Sequence, residues 1–153
     1  MRILPSGAVS SIARIVTQDG DLTEAAAGQS VTVTLADEVD CSRGDVIAAA
    51  ASPPEVADQF EATIVWMAAD AMLPGRPYLL KIGANTVTAS ITEPKYKIHV
   101  NTLEHLAAPQ LDLNETGVCN ISQDRPVALD PYELYPDLAG FICLDRIPHP
   151  TSG

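Results

Sequence analysis

In the stretch "HVNTLEH", His99, Glu104 and His105 are the residue types that bind a transition metal. A metal site needs a third or fourth donor in fixed geometry, and a loosely spaced trio is all this stretch offers. Surface or turn-stabilising roles are therefore expected, with Asn101 capping a short helical turn through Thr102 and Glu104. A nucleophile set of Ser122, His99 and Asp124 can be assembled on paper, but no strained nucleophile elbow accompanies Ser122. The acid pair Asp124 and Asp130 in "DRPVALD" lacks any sign of a cleft, and Pro126 and Pro131 make the stretch read as a turn with solvated carboxylates. Phosphate binding is no better supported. "DGDLTEAAAGQ" has two glycines, but no lysine follows the second, and the stretch leads into a strand rather than a helix N-terminus. A hairpin crossing is the expectation, with Gly20 taking a turn and Gly28 admitting the chain to the next strand.

Three further signals concern contact rather than catalysis. The strand "KYKIHV" should place Lys95, Lys97 and His99 on one face and Tyr96, Ile98 and Val100 on the other. In so acidic a chain this face reads either as a solvated, lysine-protected barrel edge or as a contact for a partner protein. Asn101, Glu104 and His105 join Lys95, Lys97 and His99 as candidate partner-contact residues. "SRGDV" contains an adhesion tripeptide, which reads as a barrel corner. Cys41, Cys119 and Cys143 are odd in number and far apart, without a Cys-x-x-Cys pair, so buried thiols in a reducing compartment are expected.

The elements that must position these residues are strands. Val31, Val33 and Leu35 alternate with Ser30, Thr32 and Thr34; Tyr78, Leu80 and Ile82 oppose Leu79 and Lys81; Val87, Ala89 and Ile91 oppose Thr86, Thr88, Ser90 and Thr92. "VSSIARIV", "RGDVIAAA", "KYKIHV", "GVCNIS" and "GFICLDRI" add further strands, separated by "PSG", "DGD", "PGRP", "GAN", "NETG" and "DRP" turns. About four strands precede Pro53-Pro54 and about six follow. Residues 55–72 satisfy two templates: Val56, Phe60, Ile64, Met67 and Ala71 recur at helical spacing, while the β-branched, aromatic "TIVW" favours a strand. A strand over 59–68 is expected. The architecture is then all-β, as a sandwich or barrel.

Composition sets outer limits. A chain of 153 residues buries roughly two thirds of its unfolded surface. Nine Lys and Arg against 20 Asp and Glu give a net charge of -11, which disfavours nucleic acid and anionic membranes and permits a basic protein partner. No apolar run reaches the length of a membrane span.

Several segments together resemble a known family. "LPSG", "RIVTQDGDLTEAAAGQSVTVTL", "DCSRGDV", "PPEVADQFEATIVWM", "LPGRPYLLKIG" and "TVTASIT" are similar to the second and third domains of translation-factor-type GTPases. "KYKIHVNTLEHLAA", "LDLNETGVCNIS", "RPVALDPY" and "GFICLDR" narrow the resemblance to subunit 1 of bacterial-type sulfate adenylyltransferase, the GTPase partner of that enzyme. The resemblance implies two small antiparallel β-barrels: a partial second domain over 1–52 and a third over 53–153 lacking its last strand. It gives the Arg-Gly pair the role of opening a strand after a loop. The P-loop, Asp-x-x-Gly and Asn-Lys-x-Asp motifs do not occur in this sequence. The resemblance therefore implies no cofactor in these residues, with GTP and Mg belonging to an absent GTPase domain, and a non-catalytic role in a cytoplasmic enzyme. Implied partners are the catalytic subunit and the chain's own GTPase domain, and strand edges exposed by a missing strand are open to pairing between copies. Two other readings stand beside it: barrels of a translation factor that contact aminoacyl-tRNA, and a free-standing β-barrel binding module.

Overall fold

A computed structural model describes residues 1–145. Five strands form before the two prolines: β1 (Arg2–Leu4), β2 (Ile12–Thr17), β3 (Gly20–Leu22), β4 (Thr32–Leu35) and β5 (Val46–Ala48). β1 pairs with β5, and β3, β2 and β4 form a three-stranded sheet with β2 at its centre, all antiparallel. The β2–β3 connection is the expected hairpin, and Gly20 takes a φ of +119° there. Arg14 clamps the hairpin from β2, donating from Nε and Nη2 to the Asp21 carboxylate on β3 at 2.7 and 2.9 Å. Val33 and Leu35 turn inward along β4 while Thr32 and Thr34 face water, as their alternation requires.

Among the described residues seven strands follow: β6 (Glu55–Val65), β7 (Pro77–Ile82), β8 (Asn85–Ile91), β9 (Tyr96–Ile98), β10 (His105–Leu106), β11 (Thr116–Leu129) and β12 (Phe141–Asp145). A four-residue helix, α1 (Pro136–Ala139), precedes β12. The seven strands make one antiparallel sheet in the order β10-β9-β11-β8-β7-β12, with β6 on the other edge of β11. Residues 55–65 are strand, so the apolar alternation and the β-branched Thr63-Ile64-Val65 prevail over the helical spacing. The strand starts four residues before the expected 59 and ends three before the expected 68. The "DRP" segment is likewise strand rather than a turn between strands. β11 runs through it as a bulge, with pairing to β6 resuming at Val127 opposite Ala57 after Ser122 opposite Gln59. Pro126 sits inside that unpaired stretch, where its missing N–H costs no ladder bond.

The core lies inside the curl of this sheet. Tyr78, Leu80 and Ile82 from β7, Val87, Ala89 and Ile91 from β8, and Cys119 and Ile121 from β11 are buried together with Ile64, Trp66, Met72 and Leu111. Trp66 Nε1 donates to the Asp70 carbonyl at 2.7 Å, and the Tyr78 hydroxyl accepts from Leu73 N at 3.0 Å, so both aromatic polar atoms are satisfied inside an apolar cluster. The two ends of the curled sheet, β6 and β12, meet through the edge-to-face rings of Phe60 and Phe141, centroids 5.8 Å apart. Among the described residues no backbone ladder joins these two strands. The end of the "GFICLDRI" strand candidate and the "IPHPTSG" segment lie outside the described residues.

The "SRGDV" corner joins the two groups of strands. Asn85 Nδ2, at the start of β8, donates to the Gly44 carbonyl at 2.7 Å. Gly44 has a φ of +101°, and a Cβ there would lie 2.5 Å from Asn85 Oδ1. The Asp45 carboxylate folds back to accept from Ser42 N at 2.7 Å. The tripeptide's glycine and aspartate are thus engaged in closing a corner.

Candidate functional site

The surface that gathers most of the singled-out residues is the β9–β10 hairpin. β9 is held between β10 and β11, with Thr116 opposite Ile98 and Val118 opposite Tyr96, and Lys95 N extends that ladder to the Val118 carbonyl at 2.8 Å. The predicted split into a basic face and an apolar face is weak, because Tyr96, Lys97 and Ile98 are all half-buried. Both lysines are already paired within the chain. Lys95 bonds Glu61 on β6, and the mostly covered Lys97 ammonium bonds Glu115 at the start of β11. The Glu115 carboxyl is held below the usual carboxylate range, first by that Lys97 bond and then by the Asp112 N–H, which donates to it at 2.7 Å; burial opposes the shift.

Beyond β9 the chain turns back through residues 99–104 without forming a helix, so Asn101 caps no helical turn. The loop is closed instead by His99 N donating to the Glu104 carbonyl at 2.9 Å and by Leu103 N donating to the His99 carbonyl at 2.7 Å. Thr102 supplies the side-chain fastening: its hydroxyl lies 3.1 Å from His99 Nδ1 and 3.1 Å from Glu104 Oε2. His105 stacks on Tyr96 with ring centroids 3.9 Å apart and planes 10° from parallel. His99, Glu104 and His105 therefore serve the hairpin's own structure, and among the described residues no three His, Cys, Asp or Glu side chains converge to hold a metal.

The paper triad is also taken apart. β9 lies beside residues 116–118 of β11, whereas Ser122 pairs with Ser90 and Gln59 further along that strand. At about 3.3 Å per residue this puts Ser122 roughly 20 Å from the His99 end of β9. Asp124 accepts weakly from Thr88 N at 3.3 Å. Cys119 and Cys143 are poor nucleophiles: burial pushes each thiol up to about 11, with Cys119 adding to the effect at Cys143.

Two cavities lie along the β6–β12 seam. One of about 640 Å³ is lined by Phe60, Tyr132 and Phe141 with Glu55, Asp130 and Glu133 at its walls. The other, about 720 Å³, reaches Trp66, Tyr78, Ile142 and Cys143. Both open on the meeting of two strand edges that are distant in sequence, so neither is visible from local pattern. Their linings contain no paired nucleophile and base. Arg76, the cation in the second, is fastened to Asp145 at 2.8 and 2.9 Å. The chemistry on offer is recognition by shape and charge.

Comparisons with known proteins agree in direction. The model of the family described as GTP-eEF1A C-terminal domain-like matches residues 59–151. The chain is 52% identical over 151 residues to a protein of Xylella fastidiosa named bifunctional enzyme CysN/CysC, covering 99% of this chain and 24% of that protein. It is 43% identical over its full length to sulfate adenylyltransferase subunit 1 of Aeromonas salmonicida, of which it covers 32%. The chain thus spans about a quarter to a third of the curated relatives it matches. A crystal structure of Sup35 complexed with GDP superposes with a TM-score of 0.84 at 16% identity, over 95% of this chain and 36% of that one, a likeness of fold. Among the described residues no helix is long and apolar enough to cross a membrane. With 93 of its 153 residues, 59 through 151, matched by the family's own model, the chain belongs to the GTP-eEF1A C-terminal domain-like family.

Proposed function

We propose that this chain is the non-catalytic, barrel-bearing part of the GTPase subunit of a sulfate adenylyltransferase, a cytoplasmic complex that couples GTP hydrolysis to adenylylsulfate synthesis from ATP and sulfate. The observation that carries the reading is the similarity of the whole chain, end to end, to proteins named sulfate adenylyltransferase subunit 1. On this reading GTP and its Mg belong to a separate GTPase domain, in keeping with a sequence that holds no P-loop, Asp-x-x-Gly or Asn-Lys-x-Asp. By itself the chain hydrolyses no nucleotide. Its role is mechanical: a rigid β body that docks differently in the two nucleotide states biases the partner subunit by its differential contact energy.

The contact surface we propose is the β9–β10 hairpin with Lys95, Lys97, His99, Asn101, Glu104 and His105. Its side-chain network, Lys97–Glu115 and His99–Thr102–Glu104, holds it in one shape before a partner arrives. The test is capture of the purified catalytic subunit by this chain and by the Lys95→Glu, Lys97→Glu double variant. Binding by the wild type and a clear loss in the variant support the reading; equal binding removes the two lysines from the contact. A second reading, barrels that touch charged tRNA, has only the β-barrel fold in its favour, and the net charge of -11 opposes it. Salt-dependent tRNA binding without capture of the sulfate-activating subunit would establish that reading instead.

A further inference from the structure

β11 carries one side chain that the alternation of its strand does not explain. Its inward row reads Cys119, Ile121 and Gln123, while Asn120 is exposed and Ser122 half-buried between them. Cys119 and Ile121 are fully buried in the apolar core. Gln123, opposite the buried Ala89 of β8, is 8% exposed, and among the described residues neither its Oε1 nor its Nε2 has a hydrogen-bond partner. Ser10, the other polar side chain buried among the described residues, shows the ordinary case. Its hydroxyl donates to Asp37 Oδ2 at 2.8 Å and accepts from Asp37 N at 3.3 Å.

A carboxamide taken out of water and left unmatched is costly, and a methionine or leucine would fill similar space without that penalty. Buried polar atoms in folded proteins are nearly all satisfied, by other protein groups or by ordered water. The surroundings of Gln123 decide which partner fits. Its charged neighbours are exposed and directed at β8: Asp124 accepts from Thr88 N at 3.3 Å, and Arg125 Nη2 donates to the Thr86 carbonyl at 3.0 Å. Neither brings a buried charge to the carboxamide, and among the described residues no three His, Cys, Asp or Glu side chains converge to hold a metal. A neutral, small partner that both donates to Oε1 and accepts from Nε2 is required, and water meets all three conditions.

The bulge offers such a water its remaining contacts. β6 pairs Gln59 with Ser122 and Ala57 with Val127, so Asp58 alone spans residues 123–126 of β11, and no ladder pair joins the two strands there. An internal water makes roughly two to four hydrogen bonds, more than one carboxamide supplies, and an interrupted ladder exposes backbone donors and acceptors beside it.

We infer that Gln123 anchors ordered internal water at the β11 bulge, bridging its carboxamide to backbone groups that the interrupted β6 ladder leaves open. The bridge stands in for the missing strand-to-strand bonds and holds the two halves of β11 in their separate registers on β6. This site serves the fold and is independent of the function proposed above.

The experiment is water-to-amide cross-relaxation on the nitrogen-15-labelled full chain, with thermal unfolding of the wild type and of Gln123→Met. The variant also identifies the Gln123 side-chain amide signals by their disappearance. The expected result is a cross-peak between water and that amide, with opposite signs in the laboratory-frame and rotating-frame spectra, as for water that tumbles with the protein. Gln123→Met should fold and melt about 2–6 °C lower, because the water loses its anchor and the bulge backbone its bridge. A Gln123 amide without a water cross-peak overturns the inference. A Gln123→Met variant that melts at or above the wild type also overturns it, since that is the behaviour of a dry, unsatisfied glutamine.

Discussion

Substituting Gly44 by alanine tests whether the Arg-Gly-Asp stretch is a corner that joins the two groups of strands. At a φ of +101° an L-residue costs about 1–2 kcal/mol of backbone strain. The new Cβ would also stand 2.5 Å from Asn85 Oδ1, so the Asn85 side chain must leave and its 2.7 Å bond to the Gly44 carbonyl is lost. That half-buried bond contributes about 1 kcal/mol. Together the terms give ~2–3 kcal/mol, a fall of about 5–10 °C in Tm at the sensitivity of a domain this size. Asn85→Ala alone should cost about 1 kcal/mol. In the double variant the bond is already gone and the clash has no partner, so the loss is smaller than the sum of the singles by about 1 kcal/mol. Urea unfolding followed by circular dichroism gives all three values. Strict additivity would refute the contact, and a neutral Gly44→Ala would refute the corner.

Two further expectations concern titratable groups. At pH 8 a thiol reagent should modify one cysteine promptly, the exposed Cys41, and three after denaturation, because Cys119 and Cys143 titrate near 11 and keep on the order of a thousandth of their thiolate; rapid modification of two or three would contradict the packing. The Glu115 carboxyl, held low by Lys97 and the Asp112 N–H, contributes stability that is present above its unfolded value of about 4.3 and lost as pH falls through the lower folded value. Glu115→Gln should flatten the acid limb of a Tm-against-pH curve and cost less than about 1 kcal/mol at neutral pH, since the pair is partly solvated. An unchanged acid limb would remove the pair from the account.

What the sequence made legible was what depends on neighbours in the chain. Alternation in "YLLKI" and "TVTASI" placed Tyr78, Leu80, Ile82, Val87, Ala89 and Ile91 in the core, where they lie. The failures came where distant strands decide. Pro126 signals a turn to any local reading, yet β11 continues past it because both flanks find β6 and the bulge absorbs the proline. Asn101 looked like a helix cap, and Thr102 does the fastening instead, because a hairpin closes there. The seam between β6 and β12 joins strands about 75 residues apart, and no pattern within either announces the other.

The polar side chains that raised the question of chemistry are mostly spent on the fold. Arg14, Arg76, Lys95 and Lys97 each hold a carboxylate, Asp45 closes its own turn, and His99 and Glu104 share one threonine. Two of the three thiols are kept protonated by burial. Groups committed in this way neither transfer protons nor attack, and releasing them for a partner would cost the contacts they already make. The exposed apolar surface includes the hairpin tip at Leu103 and the facing edges of β6 and β12, with Val65 and Ile142 beside them. Where a partner docks on that apolar surface, binding energy comes from desolvating leucine, valine and isoleucine, and charge reversals away from the contact should change association rates and salt dependence more than residence times.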